Sequence, residues 1–126
     1  MKKILIVIAD YYDDISLSLL KSAKKNLNDF SLKIIRVPGV FEIPITISKN
    51  IKKYDAFIAL GCVIKGETPH FDFISSASTQ AIMNLAVESK KPIGNGIITC
   101  LNMKQAKDRG KKGKEAAKAV ISILSQ

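Results

Sequence analysis

Apolar residues along this chain fall into alternating short blocks and spaced stripes. Ile4 to Ala9 is an unbroken apolar run, the pattern of a strand covered on both faces. Ile15, Leu19, Leu20, Ala23 and Leu27 follow at helical spacing, closed by Asn28-Asp29. Asp13 and Asp14 precede them, where carboxylates suit the positive end of a helix. Leu32 to Val37 is a second strand, stopped by Pro38-Gly39. Phe41 to Tyr54 predicts a helix with Pro44 in its first turn. Ala56 to Gly61 is a third strand. Thr68 to Ser89 is the clearest helix, with Thr68 as N-cap, Pro69 at the first helical position and Ile74, Ala77, Ala81 and Leu85 on one face. Pro92 to Cys100 is a fourth strand. Helix follows near Met103 to Arg109, then a break at Gly110 to Gly113, then a last helix carrying Ala117, Val120, Ile121 and Leu124.

Strand and helix alternate throughout, the signature of βαβ units. The fold class is therefore α/β: a three-layer α/β/α arrangement around a four-stranded parallel sheet, doubly wound and flavodoxin-like. A length of 126 residues fits one domain spanning 1–126. In such sheets ligands sit past the carboxyl ends of the strands. Those ends carry Asp10, Tyr11 and Tyr12, then Gly39 to Glu42, then Cys62 to His70, then Leu101 to Arg109.

Charge adds little. The net charge is +9. Most lysines are scattered near element ends and read as solvated surface, with one denser cluster from Lys104 to Lys114. A basic RNA-binding protein is one class such a charge allows, but no surface motif interleaves aromatic with basic residues. The two cysteines, Cys62 and Cys100, lack metal-ligand spacing and read as free buried thiols of a cytoplasmic protein. The opening MKKILIVIAD is a strand rather than a targeting segment, and no stretch approaches the roughly 20 apolar residues of a membrane span.

Candidate chemistry gathers at Gly66-Glu67-Thr68-Pro69-His70. A helix start presents free N–H groups and partial positive charge, suited to phosphate. Plain capping by Thr68 is the simpler local reading. His70, the chain's one histidine, would be held largely neutral there and able to take and return protons; taken alone, a histidine packed at an element end is commoner. Glu42 could partner the helix dipole, Tyr11 could stack on a ring, and Arg109 could fork onto phosphate or simply face solvent. No GxGxxG follows the first strand, no P-loop exists, and Gly61-Cys62 stands where a phospho-acceptor receiver needs an Asp.

Two long, uncommon stretches settle more than these local arguments. Val37-Pro38-Gly39-Val40-Phe41-Glu42-Ile43-Pro44 and ALGCVIKGETPHFD, Ala59 to Asp72, resemble the 6,7-dimethyl-8-ribityllumazine synthase family. Pro92 to Thr99 and Gln105 to Arg109 agree more loosely. The resemblance implies condensation of 5-amino-6-(D-ribitylamino)uracil with 3,4-dihydroxy-2-butanone 4-phosphate in riboflavin biosynthesis, without a cofactor or metal and with no nucleic-acid or membrane partner. It implies that Tyr11 stacks on the pyrimidine, that Val40, Phe41 and Glu42 bind the ribitylaminouracil, and that Cys62, Val63 and Ile64 run along its ring. It further implies that Glu67 and Thr68 hold the four-carbon phosphate, that His70 is the acid/base, and that Arg109 clamps the phosphate. Lys112 matches the substrate-binding lysine of a Lys-Gly that longer members carry a few residues further on. Asn95 stands where many members carry a Phe that completes a neighbouring subunit's site. Asp10 replaces an often basic residue, and the segment after Arg109 is short. The resemblance implies a homopentamer; the start directly at strand one argues against a sixty-subunit shell. The other class in play is a non-catalytic flavin- or lumazine-binding relative.

Overall fold

The computed structural model describes residues 1–66 and 71–126. Four parallel strands, β1 (Lys3–Ala9), β2 (Ser31–Val37), β3 (Ala56–Ile64) and β4 (Ile93–Cys100), form one sheet in the order β2-β1-β3-β4. Helices α1 (Asp13–Lys24), α2 (Ile43–Lys49), α3 (Phe71–Ser89), α4 (Met103–Lys107) and α5 (Lys112–Leu124) cover its faces. This is the expected three-layer, doubly wound fold.

The continuous apolar run of β1 has the meaning anticipated for it. Ile4, Ile6 and Ile8 enter one core with Leu19 of α1, Ala106 of α4 and Ala117 and Val120 of α5. Leu5, Val7 and Ala9 enter the other with Ile43 and Ile47 of α2 and Ile82 of α3. Successive strand residues point to opposite faces, so a strand with a core on each side has no polar position.

Glycines set how closely the layers approach. A Cβ at Gly94 would lie 2.3 Å from the Ala116 carbonyl oxygen, and one at Gly96 would lie 2.5 Å from a Leu60 methyl. The first brings α5 directly onto β4. Gly94 and Gly96 of the fourth strand are thus packing positions.

Several predicted boundaries move. β3 runs on to Ile64 rather than stopping at Gly61, because β4 continues to supply partners as far as Ile64↔Cys100. Gly61 is a packing glycine: a Cβ there would meet Val40 Cγ2 at 2.9 Å and Ala9 Cβ at 3.2 Å. The segment expected as one helix from Phe41 to Tyr54 splits into a 3₁₀ turn at Val40–Glu42, the helix α2, and turns after Lys49. Asn50 ends α2, its Nδ2 donating to the Thr46 carbonyl at 2.8 Å. α1 ends at Lys24, yet Leu27 past its end is still buried. α4 stops at Lys107, leaving Arg109 in a turn, and α5 takes in Gly113, which was expected in the break. The predicted helix start at Thr68 lies outside the described residues.

Candidate active site

The chain leaves β1 on one side toward β2 and on the other toward β3, so the order reverses between β1 and β3. A crevice is expected at the carboxyl ends of the strands at that point. The pairing of β1 with β3 ends at Ile8↔Leu60, while β3 continues to Ile64 along β4. Gly61 to Ile64 therefore run on past the last residue paired with β1, and one main-chain edge of this stretch lies on the side of the reversal point.

The residues around that edge are held by specific packing. Ala9, Val40 and Ile43 converge on the bare Cα of Gly61, which seats the Val40–Glu42 turn over β3. Val40 is buried, Phe41 is 67% exposed and Glu42 is half-buried. A Cβ at Gly39 would lie 3.2 Å from Glu42 Oε1, so the Glu42 carboxylate folds back over the turn. Gly39 itself is extended, and its carbonyl accepts from the Glu42 N–H at 3.2 Å. Tyr11 is 69% exposed at the β1 exit, its ring edge-to-face with Tyr12 at 4.8 Å. Ser16 Oγ donates to the Ala9 carbonyl and ties the start of α1 to the end of β1. Asp10 and Asp13 are drawn to Arg36, at 4.0 and 3.2 Å; Arg36 is a contributor the sequence reading did not single out.

Cys62, Val63 and Ile64 are nearly fully buried, with Cys62 and Ile64 in one core and Val63 in the other. What this stretch can offer a ring is accordingly its main chain. Burial pushes the Cys62 thiol up to about 12, with Cys100 reinforcing the shift. It is a structural thiol, not a nucleophile. Both cysteines are free and buried, as expected.

A second group of candidates lies across the sheet at the outer strand. Arg109 Nη1 donates to the Thr99 carbonyl at 3.0 Å. With Lys111, Lys112, Thr99, Ile97 and Glu115 it lines an open groove of about 390 Å³. Lys112 Nζ stands 3.9 Å from Glu115. Asn95 lies on the same edge strand, its Oδ1 accepting from the Ile97 N–H at 3.0 Å, which leaves its amide NH₂ as a donor group. Asn102 caps α4 by accepting from the Gln105 N–H at 2.9 Å, and Gln105 Oε1 accepts from the Leu101 N–H at 2.8 Å. The Asn-x-x-Gln spacing is a capping signal in the sequence that could have marked how Arg109 is positioned. Gly66 has φ +86°, the left-handed region that favours glycine. Glu67, Thr68 and His70 lie outside the described residues.

The structure thus seats the Val40–Glu42 turn against Gly61 of β3 and leaves Tyr11 exposed at the β1 exit. It brings Arg109 and Lys112 together beside β4. The two groups lie at different places along the strand ends of one chain. No helix among the described residues is long and apolar enough to cross a membrane.

Fold and site define an α/β/α protein of the doubly wound class with candidate residues around its strand reversal and a cationic groove at its edge. Comparison with known proteins narrows this: residues 1–126 match the family described as 6,7-dimethyl-8-ribityllumazine synthase, and the chain belongs to that family. A protein of that name from Rhodopseudomonas palustris (strain BisA53) is 44% identical over 134 residues, covering 95% of this chain and 82% of the relative. Another from Agrobacterium fabrum is 42% identical over 135 residues, covering 96% and 91%. One from Cutibacterium acnes is 40% identical over 133 residues, covering 98% and 80%.

Proposed function

We propose that this protein is a 6,7-dimethyl-8-ribityllumazine synthase, a transferase of riboflavin biosynthesis. It condenses 5-amino-6-(D-ribitylamino)uracil with 3,4-dihydroxy-2-butanone 4-phosphate and releases phosphate and water. The observation that carries the reading is the end-to-end family match, and the two groups of candidate residues have the chemistry the reaction needs.

The crevice takes the uracil. Tyr11 stacks on the ring, the main chain of Cys62 to Ile64 reads its edge, and Val40, Phe41 and the Glu42 carboxylate hold the ribityl chain. The cationic groove takes the phosphate, with Arg109 and Lys112 opposite its charge and Glu67 and Thr68 completing the hold. Attack of the uracil amine on the ketone gives a carbinolamine. His70 delivers a proton to the departing hydroxyl and removes one from nitrogen, so that water leaves and an imine forms. Loss of phosphate then places negative charge on the leaving oxygens, where Arg109 is worth most. The elimination also takes the proton from the adjacent carbon and leaves an enol that tautomerises to a ketone. The ribityl-bearing nitrogen attacks that carbonyl, its oxygen leaves as a second water, and the ring closes to the lumazine. Holding two substrates in one cleft supplies much of the rate.

The site is completed between subunits of a homopentamer. The separation of the Tyr11–Glu42 group from the Arg109–Lys112 group supports this, since one chain's crevice can receive a neighbour's groove. Asn95, on the edge strand β4, is assigned to the same junction. An apolar hollow of about 450 Å³ between α3 and α5, lined by Met83, Val87, Ile93 and Ile123, supports a contact surface there.

Subunit mixing tests the arrangement. Arg109→Ala and Glu42→Gln chains, each inactive alone, are unfolded together and refolded. Sites shared between neighbours regain activity at about one site in four in a randomly mixed ring. Sites built within single chains regain none, and that result would refute the shared site.

A further inference from the structure

Resting on the reading above, in which Arg109 and Lys112 hold the substrate phosphate, we infer that Ser22 is a positioning residue for both cations. Ser22 sits on α1, far from either substrate group in sequence. Its hydroxyl donates to the Gly110 carbonyl at 2.6 Å and accepts from the Lys114 N–H at 3.1 Å. Gly110 directly follows Arg109, and Lys114 lies just beyond Lys112. One hydroxyl therefore pins both ends of the short connection that carries the two phosphate-side cations.

The connection needs this support. The first N–H groups of a helix have no partner within it. The N-cap of α5 is Lys111, whose side chain makes no capping bond. Ser22 supplies that bond from another helix. The charges make the need greater: Arg109, Lys111, Lys112 and Lys114 crowd the positive end of α5, with Asp108 and Glu115 as the acids in this stretch. Cations are unfavourable at a helix N-terminus, and the Ser22 bonds add to the two backbone bonds that close this turn, Lys112 N–H to the Arg109 carbonyl at 3.0 Å and Gly113 N–H to the Gly110 carbonyl at 3.3 Å.

The fit around the hydroxyl is close. A Cβ at Gly113 would lie 2.0 Å from the Leu19 carbonyl oxygen and 2.6 Å from Ser22 Oγ, and one at Gly110 would lie 2.3 Å from Ser18 Oγ. The two glycines let α5 and its lead-in lie directly on α1, where Ser22 reaches both.

The test compares the native chain with Ser22→Ala and Ser22→Thr. Hydrogen exchange at the Lys114 amide should quicken in Ser22→Ala and return toward the native rate in Ser22→Thr. In Ser22→Ala the KM for the butanone phosphate should rise about two- to tenfold, the factor one hydrogen bond supplies. Inhibition by inorganic phosphate should weaken by a similar factor, while the KM for the ribitylaminouracil stays put. Unchanged exchange at Lys114 would overturn the clamp whatever the activity. Faster exchange with both KM values moved equally would show a merely structural role. A native chain that makes no lumazine would instead overturn the enzymatic reading, with the exchange result still deciding whether the clamp exists.

Discussion

Replacing Gly61 by alanine links the packing of the sheet to the binding of one substrate. The added Cβ would sit 2.9 Å from Val40 Cγ2, 3.2 Å from Ala9 Cβ and 3.6 Å from Ile43 Cδ1. Carbon atoms rest comfortably at roughly 3.5–4.0 Å, so Val40 must retreat by about 0.6 Å or more. Such overpacking costs about 1–3 kcal/mol. The loss of glycine flexibility in the unfolded chain returns about 0.4–1 kcal/mol. The net is a destabilisation of roughly 1–2 kcal/mol, a fall in Tm of about 3–8 °C for a chain of this size. Val40 belongs to the turn assigned to the ribitylaminouracil, and a displacement approaching 1 Å in a positioning element can cost up to about 100-fold. The KM for that substrate should therefore rise severalfold while the KM for the phosphate substrate holds. Thermal unfolding and steady-state kinetics with each substrate varied in turn provide the assay. Gly94→Ala is the control: its Cβ would meet the Ala116 carbonyl oxygen at 2.3 Å, so it should lower Tm without touching the Val40 turn. A Gly61→Ala protein with native Tm and native KM would refute the reasoning, as would equal changes in both KM values.

Arg109→Ala should reduce turnover by about 100-fold or more, the scale of removing one donor from a developing negative charge. Its fold should survive, since the guanidinium is exposed and donates to the Thr99 carbonyl; circular dichroism and phosphate-release kinetics check both halves. Cys62 gives a stability signature in alkali. Its thiol is raised from 9.0 to about 12 in the folded chain, so its contribution is complete below pH 9 and is lost as pH climbs toward 12, because the unfolded chain surrenders the proton first. Denaturant titrations of native and Cys62→Ala chains across that window should show the steeper decline in the native protein.

The fold could be read from the chain because β1 and β3 carry cores on both faces, which leaves no ambiguity in an unbroken apolar run. Boundaries were harder, and for identifiable reasons. Gly61 resembled a stop, but it is a contact that depends on where Val40 arrives from β2, information no local pattern holds. Leu27 kept the helical spacing of α1 although the helix ends at Lys24, because burial rather than helix geometry selects leucine there. Gly113 resembled a break, but a helix may carry glycine where another helix lies against it. For the site, Tyr11, Glu42 and Arg109 could be named from a resemblance; their physical setting could not. That Cys62 to Ile64 present main chain rather than side chains follows from the length of β1 relative to β3. That Ser22 reaches the turn after Arg109 follows from how α1 and α5 cross. Both are tertiary facts.

The central claim is that this chain joins the two substrates and expels phosphate. The purified protein, given both compounds at concentrations where the spontaneous reaction is slow, should produce fluorescent lumazine well above the uncatalysed rate, with one phosphate released for each lumazine formed. Tight binding of lumazine without product above the spontaneous rate would contradict the claim and mark the protein as a ligand-binding relative of the enzyme.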